Sequence, residues 1–513
     1  MVLKPFSKSL LAFYRLLRRR LGNSLGQYHH LQSSSGISTC PKIIQTCLRV
    51  PQDDEHLRNK TLVLDVEGGL LRSTSTFPYF MLIAIEAGSF LRGFILLCLY
   101  PLLCCLPQEV ETKIMVMVCF VGLREEKVVR VARATLPKYF VEDVGREGLE
   151  VVRGVKRVAG VCRLIPRVMA EAFLKEYTGF EVVVGREVKM IRGCYVGLLG
   201  KESEARLGQA KFDQNEMIGF GSSSNYFDYD HHQLFSRCKE VHLVTPEDKR
   251  KWSPLTRDQY PRPLIFHDGR LAFRPTPQAT LAMFMWLPLA LPLTVLRTLI
   301  FVKLPYSISV AIGAVIGVTT RVINSPVRIG QVGCDEPHAQ PSPQGHLYVC
   351  NHRTLLDPVY ISAMLNKQVS TVTYSVSRVS ELLSPIGTVR LTRNRDEDRR
   401  RMEQSLRQGD LVVCPEGTTC REPYLLRGTS TGNFKYLDHF YYFMNPRPAY
   451  DVQFMDKIPT RMAIQGKRWE SKEVANLVQG EIGRTLGFRS TTLTRKDKYL
   501  RLAGNEGFAD TKQ

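Results

Sequence analysis

Two residues that could do acid–base chemistry stand five positions apart in Cys350-Asn351-His352-Arg353-Thr354-Leu355-Leu356-Asp357. A neutral imidazole can take a proton from an alcohol, and a carboxylate on its other nitrogen fixes the tautomer and stabilises the imidazolium. Helical neighbours on one face sit three or four apart, so His352 and Asp357 can meet only if the chain bends between them. The setting suits such a bend. An apolar strand-like run, His346-Leu347-Tyr348-Val349-Cys350, leads in, and a helical pattern begins at Asp357-Pro358. Strands that empty into polar loops at helix starts are where α/β folds place reactive groups. Taken alone the pair is weak, because a loop histidine is more often a polar surface residue.

Two further blocks give it company. Leu411-Val412-Val413-Cys414-Pro415-Glu416-Gly417-Thr418-Thr419-Cys420-Arg421-Glu422-Pro423 is an apolar strand ending in a Pro-Glu-Gly-Thr turn, and Gly387-Thr388-Val389-Arg390-Leu391-Thr392-Arg393 lies between. In this order the three blocks resemble the first three motifs of the glycerol-phosphate and lysophospholipid acyltransferases. The strings NHRTLLDP and CPEGTTCREP are similar to those of the land-plant membrane glycerol-3-phosphate acyltransferases, a resemblance that runs from about Leu62 onward.

The resemblance implies an α/β glycerol-phosphate acyltransferase domain in the C-terminal part, with His352 as general base and Asp357 as its orienting carboxylate. It implies that Glu416, Gly417 and Thr418 shape a polyol pocket. Arg393 and Arg421 are assigned to the phosphate dianion, which a planar fork of donors suits. The reaction implied is acyl transfer from acyl-CoA to glycerol 3-phosphate, giving lysophosphatidic acid, for glycerolipid or, with sn-2 regiochemistry, cutin- or suberin-type lipid synthesis. No cofactor and no metal are expected; acyl-CoA is a co-substrate, and Cys350, Cys414 and Cys420 are bystanders because the alkoxide attacks the thioester directly.

Composition narrows the partners. A chain of 513 residues predicts two to four domains, and a formal net charge of +21 points to anionic partners. Nucleic acid is excluded, since the basic residues are spread out and long apolar runs point to membrane lipid instead. The 13 cysteines are an odd number with no Cys-x-x-Cys pair, and Cys98, Cys104, Cys105 and Cys119 sit in apolar runs. Buried free thiols in a reducing compartment are the expectation.

Residues 1–55 form a basic amphipathic segment. Its first 50 residues hold eight Lys/Arg and no acid, and Leu10, Phe13, Tyr14, Leu17 and Leu21 share a helical face. Both a mitochondrial transit peptide and a membrane-surface helix of an endoplasmic-reticulum protein fit this description. Residues 56–275 open on Thr61-Leu62-Val63-Leu64-Asp65-Val66-Glu67-Gly68-Gly69, which resembles the first motif of haloacid-dehalogenase-type phosphatases, Rossmannoid in fold. The resemblance makes Asp65 the nucleophile, but Glu67 replaces the aspartate that serves as acid/base, and an added methylene displaces a proton donor by about 1 Å. The run Gly160-Val161-Cys162-Arg163-Leu164-Ile165 lacks the expected hydroxyl. Gly219-Phe220-Gly221-Ser222-Ser223-Ser224-Asn225 lacks the expected magnesium-binding carboxylate, although Asp228 and Asp230 lie nearby. A degenerate phosphatase domain is expected. Within it, residues 77–123 form an apolar helical insert, read as a hairpin partly sunk in one leaflet, or else as buried core.

Residues 276–330 read as a membrane hairpin. Leu281–Leu296 carries no charge, Pro288 and Pro292 are expected to kink it, Pro305 to turn it, and Arg297, Lys303 and Arg321 to snorkel to headgroups. The acyltransferase domain is 331–513, after a Pro- and Gly-rich linker. The helical patterns at Asp396–Arg407 and Ser471–Leu486 follow, and Arg489–Arg501 is expected to be an exposed basic tail. The family's fourth motif, of Val-Pro-Val type, is missing after Arg427, where the chain passes directly to Gly428. An integral membrane enzyme of the endoplasmic reticulum or mitochondrion follows. The alternatives are a catalytically impaired isoform or scaffold, because of the gap at 427/428, and a lipid-phosphate phosphatase.

Overall fold

The computed structural model describes residues 42–45, 60–202, 217–223, 235, 238–265, 267, 269–324, 345–373, 384–392, 394–416, 423–427, 438–458, 471–494, 497 and 500. The chain divides into two compact units at 282/283.

The first unit is built on a seven-stranded sheet of β1 (Lys42–Gln45), β2 (Thr61–Asp65), β3 (Arg157–Cys162), β4 (Val182–Ile191), β5 (Cys194–Glu202), β6 (Met217–Ser222) and β7 (Glu240–Val244). Its order is β1-β7-β6-β2-β3-β4-β5, and the pairings are parallel except that β5 runs antiparallel to β4. The apolar run of β2 is buried at every position, as expected of a central parallel strand covered on both faces. Val63, Ala159, Val161, Val184, Met217, Phe235, Val241 and Leu243 form one cluster of the core. Asp65 is in register with Val161, so the turns after β2 and β3 emerge side by side. The strand order reverses between β2 and β6, so Asp65 also ends β2 at the switch point, where α/β sheets hold ligands.

The apolar insert of this unit is helical, with helices Phe77–Leu82, Phe90–Leu103 and Gln108–Phe120. Its first part is core: Phe77, Tyr79, Phe80, Met81, Leu82, Ile83, Ala84 and Ile85 are all buried. The next two helices bury one face through Leu96, Leu103, Met115, Val116 and Phe120. They expose Leu91, Phe94, Ile95, Leu102 and Met117 on the other. The thiols divide likewise: of Cys98, Cys104, Cys105 and Cys119, only Cys119 is buried, because the others fall on or near the outward face. Among the described residues every cysteine is free.

The second unit carries a four-stranded parallel sheet of β9 (Leu347–Val349), β10 (Val369–Thr373), β11 (Gly387–Arg390) and β12 (Asp410–Val413), in the order β11-β10-β12-β9. The helix Asp357–Leu365 lays Ile361 and Leu365 on Val369 and Val412. Two parallel pairs complete the unit: β8 (Thr319–Ile323) with β14 (Ala449–Gln453), and β13 (Tyr424–Arg427) with β15 (Arg489–Thr494). Arg489–Thr494, expected in an exposed tail, is therefore a strand; its backbone finds a ladder partner in β13. The helices Arg395–Gln408, capped by the Asn394 side chain, and Ser471–Leu486 lie where the patterns put them.

One helix among the described residues, Pro277–Lys303, is long and apolar enough to cross a membrane, at 27 residues with a mean hydropathy of 1.9 over an 18-residue stretch. It continues through Pro288 and Pro292 without a break, since each proline removes one rung of a long ladder. Pro305 starts the helix Tyr306–Val315, and Phe301 packs its ring against Gly313, closing a hairpin. Arg297 does not snorkel. It is fully buried, and its guanidinium donates to the carbonyls of Phe443 (2.5 Å), Asn445 (2.7 Å), Ile316 (2.5 Å) and Pro446 (3.2 Å). Three of these carbonyls lie at the C-terminal end of the helix Asp438–Met444 and just beyond it, where helix carbonyls lack partners. Trp286, three turns earlier on the long helix, donates its indole N–H to the carbonyl of Met444 at 2.7 Å.

Candidate active site

The loop after β9 bends as the spacing requires. His352 Nδ1 lies 3.0 Å from Asp357 Oδ2, and the same oxygen accepts the backbone N–H groups of Arg353 (2.7 Å) and Thr354 (3.0 Å). Asp357 is the first residue of its helix, with Pro358 next, so its carboxylate also faces the positive end of that helix. A carboxylate can only accept; with two amides already donating to Oδ2, the ring nitrogen facing it carries the proton. Nε2 of His352 is then left with its lone pair, as a base requires. The His352 side chain is 13% exposed and that of Asp357 3%, so the base is reachable while its partner is walled in.

The strand β12 supplies the second half of the site. Glu416, in the turn after it, is 3% exposed, and its Oε1 accepts the backbone N–H of His352 at 2.8 Å. The resemblance puts Glu416 in the polyol pocket; the structure gives this oxygen the task of fixing the His352 loop. Because β9 and β12 are in register, Val349 opposite Val413, the next residues Cys350 and Cys414 also meet, with Sγ atoms 3.4 Å apart. The Cys350 thiol and burial push the Cys414 thiol up. Arg393, Gly417, Thr418 and Arg421 lie outside the described residues.

Tyr450 has no counterpart in the sequence reading. Its hydroxyl donates to Asp357 Oδ1, so both oxygens of the carboxylate are held. Burial, with the Asp357 charge behind it, pushes the Tyr450 hydroxyl up, which keeps it a donor. Its ring stacks on Tyr360, from the Asp357 helix, with centroids 4.0 Å apart and planes 4° from parallel. Tyr360 donates to the Tyr442 hydroxyl at 3.2 Å, and Phe301 stacks on Phe443. Ninety-three positions separate Tyr450 from Asp357, and no motif links them.

The Asp65 region holds a different arrangement. Asp65 Oδ1 accepts the N–H of Gly68 at 3.0 Å, and a Cβ on Gly68 would strike the Asp65 carboxylate and the Ser222 amide. Glu67 turns inward and accepts the backbone N–H groups of Leu164 (2.9 Å), Ile165 (2.9 Å) and Arg163 (3.3 Å). These are the amides after β3, in the run from which the hydroxyl is missing. Burial, reinforced by the Asp65 charge, pushes Glu67 up to about 7. Lys249 Nζ donates to the Glu67 backbone carbonyl at 2.5 Å. Ser222 is buried at the end of β6, and Asp228 and Asp230 lie outside the described residues. The three amides after β3 are thus all taken by the chain's own carboxyl group.

A His–Asp dyad on the edge of a parallel sheet, in a chain that also carries a Rossmannoid unit, defines a two-part protein with a haloacid-dehalogenase-like half and an acyltransferase half. Family models agree: residues 61–244 match "Glycerol-3-phosphate acyltransferase RAM2-like, HAD-like domain", and residues 331–446 match "Acyltransferase". The chain is 43% identical to "Probable glycerol-3-phosphate acyltransferase 3" of Arabidopsis thaliana over 534 aligned positions, with 98% of each chain covered. It is 40% identical to "Glycerol-3-phosphate acyltransferase 1" of the same plant (88% and 83% covered). To "Glycerol-3-phosphate acyltransferase RAM2" of Petunia hybrida it is 35% identical (87% and 98%). The chain belongs to the plant glycerol-3-phosphate acyltransferase family. Among solved structures, a substrate-bound phosphoserine phosphatase covers 36% of this chain and 86% of its own, at 14% identity and a TM-score of 0.24.

Proposed function

We propose that the chain transfers an acyl group from acyl-CoA to a hydroxyl of glycerol 3-phosphate, yielding lysophosphatidic acid. The carrying observation is the His352–Asp357 dyad, held on both carboxylate oxygens and opened at Nε2. In this reading Nε2 takes the hydroxyl proton as the alkoxide attacks the thioester carbon. The carbon–sulfur bond then breaks and the imidazolium returns the proton to the leaving thiolate. Arg393 and Arg421 receive the phosphate, and Gly417 and Thr418 border the polyol. Membrane lipid is the second partner, met by the helix Pro277–Lys303 and the exposed apolar face of the insert. Endoplasmic reticulum and mitochondrion both suit the basic N-terminal segment, and sn-2 acylation for cutin- or suberin-type lipids is within the reading.

A second reading has its own support: an impaired isoform. The alignment with the first relative runs to 534 positions, more than the 513 residues present, so parts of the relative have no counterpart here. The strand β13, ending at Arg427, pairs outside the four-stranded sheet, and the catalytic strand β9 stands at an edge with Leu347 49% exposed. A strand lost after Arg427 would leave such an edge unpaired. The test is acyl transfer in microsomes from labelled glycerol 3-phosphate and a panel of acyl-CoAs. Three proteins are compared: this chain, His352→Ala, and a version with the missing segment restored. Product from this chain and none from His352→Ala supports the enzyme reading. Product from the restored version alone assigns this chain to the impaired isoform, and none from any of the three ends the acyltransferase reading.

A further inference from the structure

Beside the base lies a pair of thiols that acyl transfer leaves unused. The Sγ atoms of Cys350 and Cys414 face each other at 3.4 Å across the paired ends of β9 and β12. The ligand atoms of His352, Asp357 and Cys414 all lie within 4.8 Å of one another. Two thiolates on one tetrahedral ion at about 2.3 Å each sit roughly 3.8 Å apart, so the pair needs to open by only a few tenths of an ångström. Sulfur and imidazole together select a borderline-soft dication and exclude magnesium or calcium, which ask for oxygen.

We propose that Cys350, Cys414 and His352, with Asp357 as the fourth donor, form a binding site for Zn²⁺, and that its occupancy shuts off acyl transfer. The inhibition rests on the acyltransferase reading; the metal site does not. Binding releases the two thiol protons to the buffer and takes the imidazole out of its hydrogen bond with Asp357. The base then has its lone pair on the ion or its orientation lost, so the metal is an antagonist of the dyad and no part of its chemistry.

The test uses the full chain in detergent micelles with a phosphine reductant throughout, which keeps the two thiols from forming a disulfide. Co²⁺ replaces Zn²⁺ as a spectroscopic probe, and Cys350→Ser/Cys414→Ser is the control. The expected result is a thiolate-to-cobalt charge-transfer band with tetrahedral visible bands, bleached by Zn²⁺ and absent from the double variant. Acyl transfer should be inhibited by Zn²⁺ and restored by EDTA. The double variant should keep its activity and lose sensitivity roughly 10-fold or more, the scale on which metal sites respond to a lost supporting group. A cobalt spectrum unchanged in the double variant, or no thiolate band at all, overturns the proposal. So does equal Zn²⁺ inhibition of both proteins. Should the band be present while metal-free protein makes no lysophosphatidic acid, the metal site stands and the reading of this chain as an active acyltransferase fails.

Discussion

Both halves of the molecule bury a carboxylate on backbone amides in the segment that follows a parallel strand, to opposite effect. Asp357 spends one oxygen on two amides and an imidazole and the other on Tyr450, and the imidazole it holds remains accessible. Glu67 spends its oxygens on three amides of the neighbouring turn, and Lys249 sits on its main chain. One carboxylate orients an imidazole that stays accessible; the other is used up in tying two turns together.

That contrast is breakable at its strong end. In the restored version of the chain, His352→Ala should lower acyl transfer by roughly 10²–10⁴-fold, the usual contribution of general-base catalysis. Retention of more than a tenth of the rate would remove the dyad from the mechanism. Magnesium-dependent phosphate release from a lipid phosphate should be absent from the same protein; its presence, abolished by Asp65→Asn, would make both halves catalytic.

The structural support of the dyad is the next test. Arg297→Ala strips donors from four carbonyls at once and should cost about 2–4 kcal/mol, read as a lower melting temperature in detergent, with Arg297→Lys between it and the parent. Equal melting of all three would mean that those carbonyls do without it. A smaller effect is expected at Tyr450. Tyr450→Phe removes one hydrogen bond to the Asp357 carboxylate and keeps the stacked ring, so kcat should fall roughly 10-fold with KM little changed. A change confined to KM would move Tyr450 from positioning the carboxylate to binding substrate.

A pH-dependent effect of comparable size belongs to Glu67. Its native carboxyl titrates near 7 against an ordinary 4.5, so the native state holds the proton more tightly than the unfolded chain. The stability this gives is whole below about pH 4.5 and is lost as pH rises through 7. Glu67→Gln, neutral throughout, should therefore gain on the parent between pH 5 and 8 by about 1–3 kcal/mol, seen as a growing difference in melting temperature. A constant difference across that range would show that Glu67 is not protonated on folding.

What the sequence made legible was local. The strand, loop and helix around His352 follow from a short apolar run, a polar bend and Asp-Pro at a helix start, and the strand Thr61–Asp65 from an apolar run of its own. The gap after Arg427 is visible only because a resemblance says what should follow. Contacts across long separations were not legible. Nothing near Tyr450 marks it as the partner of Asp357, because its hydroxyl reaches the site only when β14 pairs with β8. Arg297 looks like a membrane-interface cation by position, and only the fold brings four carbonyls to it. Glu67 reads as a crippled catalytic acid in one dimension and, in three, as a tie between two turns.

The docking of Trp286 and Arg297 onto the end of the helix Asp438–Met444 bears on how this protein can be handled at the bench. The apolar helix Pro277–Lys303 is the obvious stretch to trim when a water-soluble catalytic fragment is wanted. Cutting after Lys303 would remove the indole, the guanidinium and Phe301 together. The Met444 and Phe443 carbonyls would lose their donors, and the stack of Phe301 on Phe443, one step from Tyr360 and Tyr450, would go with them. A fragment meant to keep its aromatic wall must start before Pro277 and bring its detergent with it.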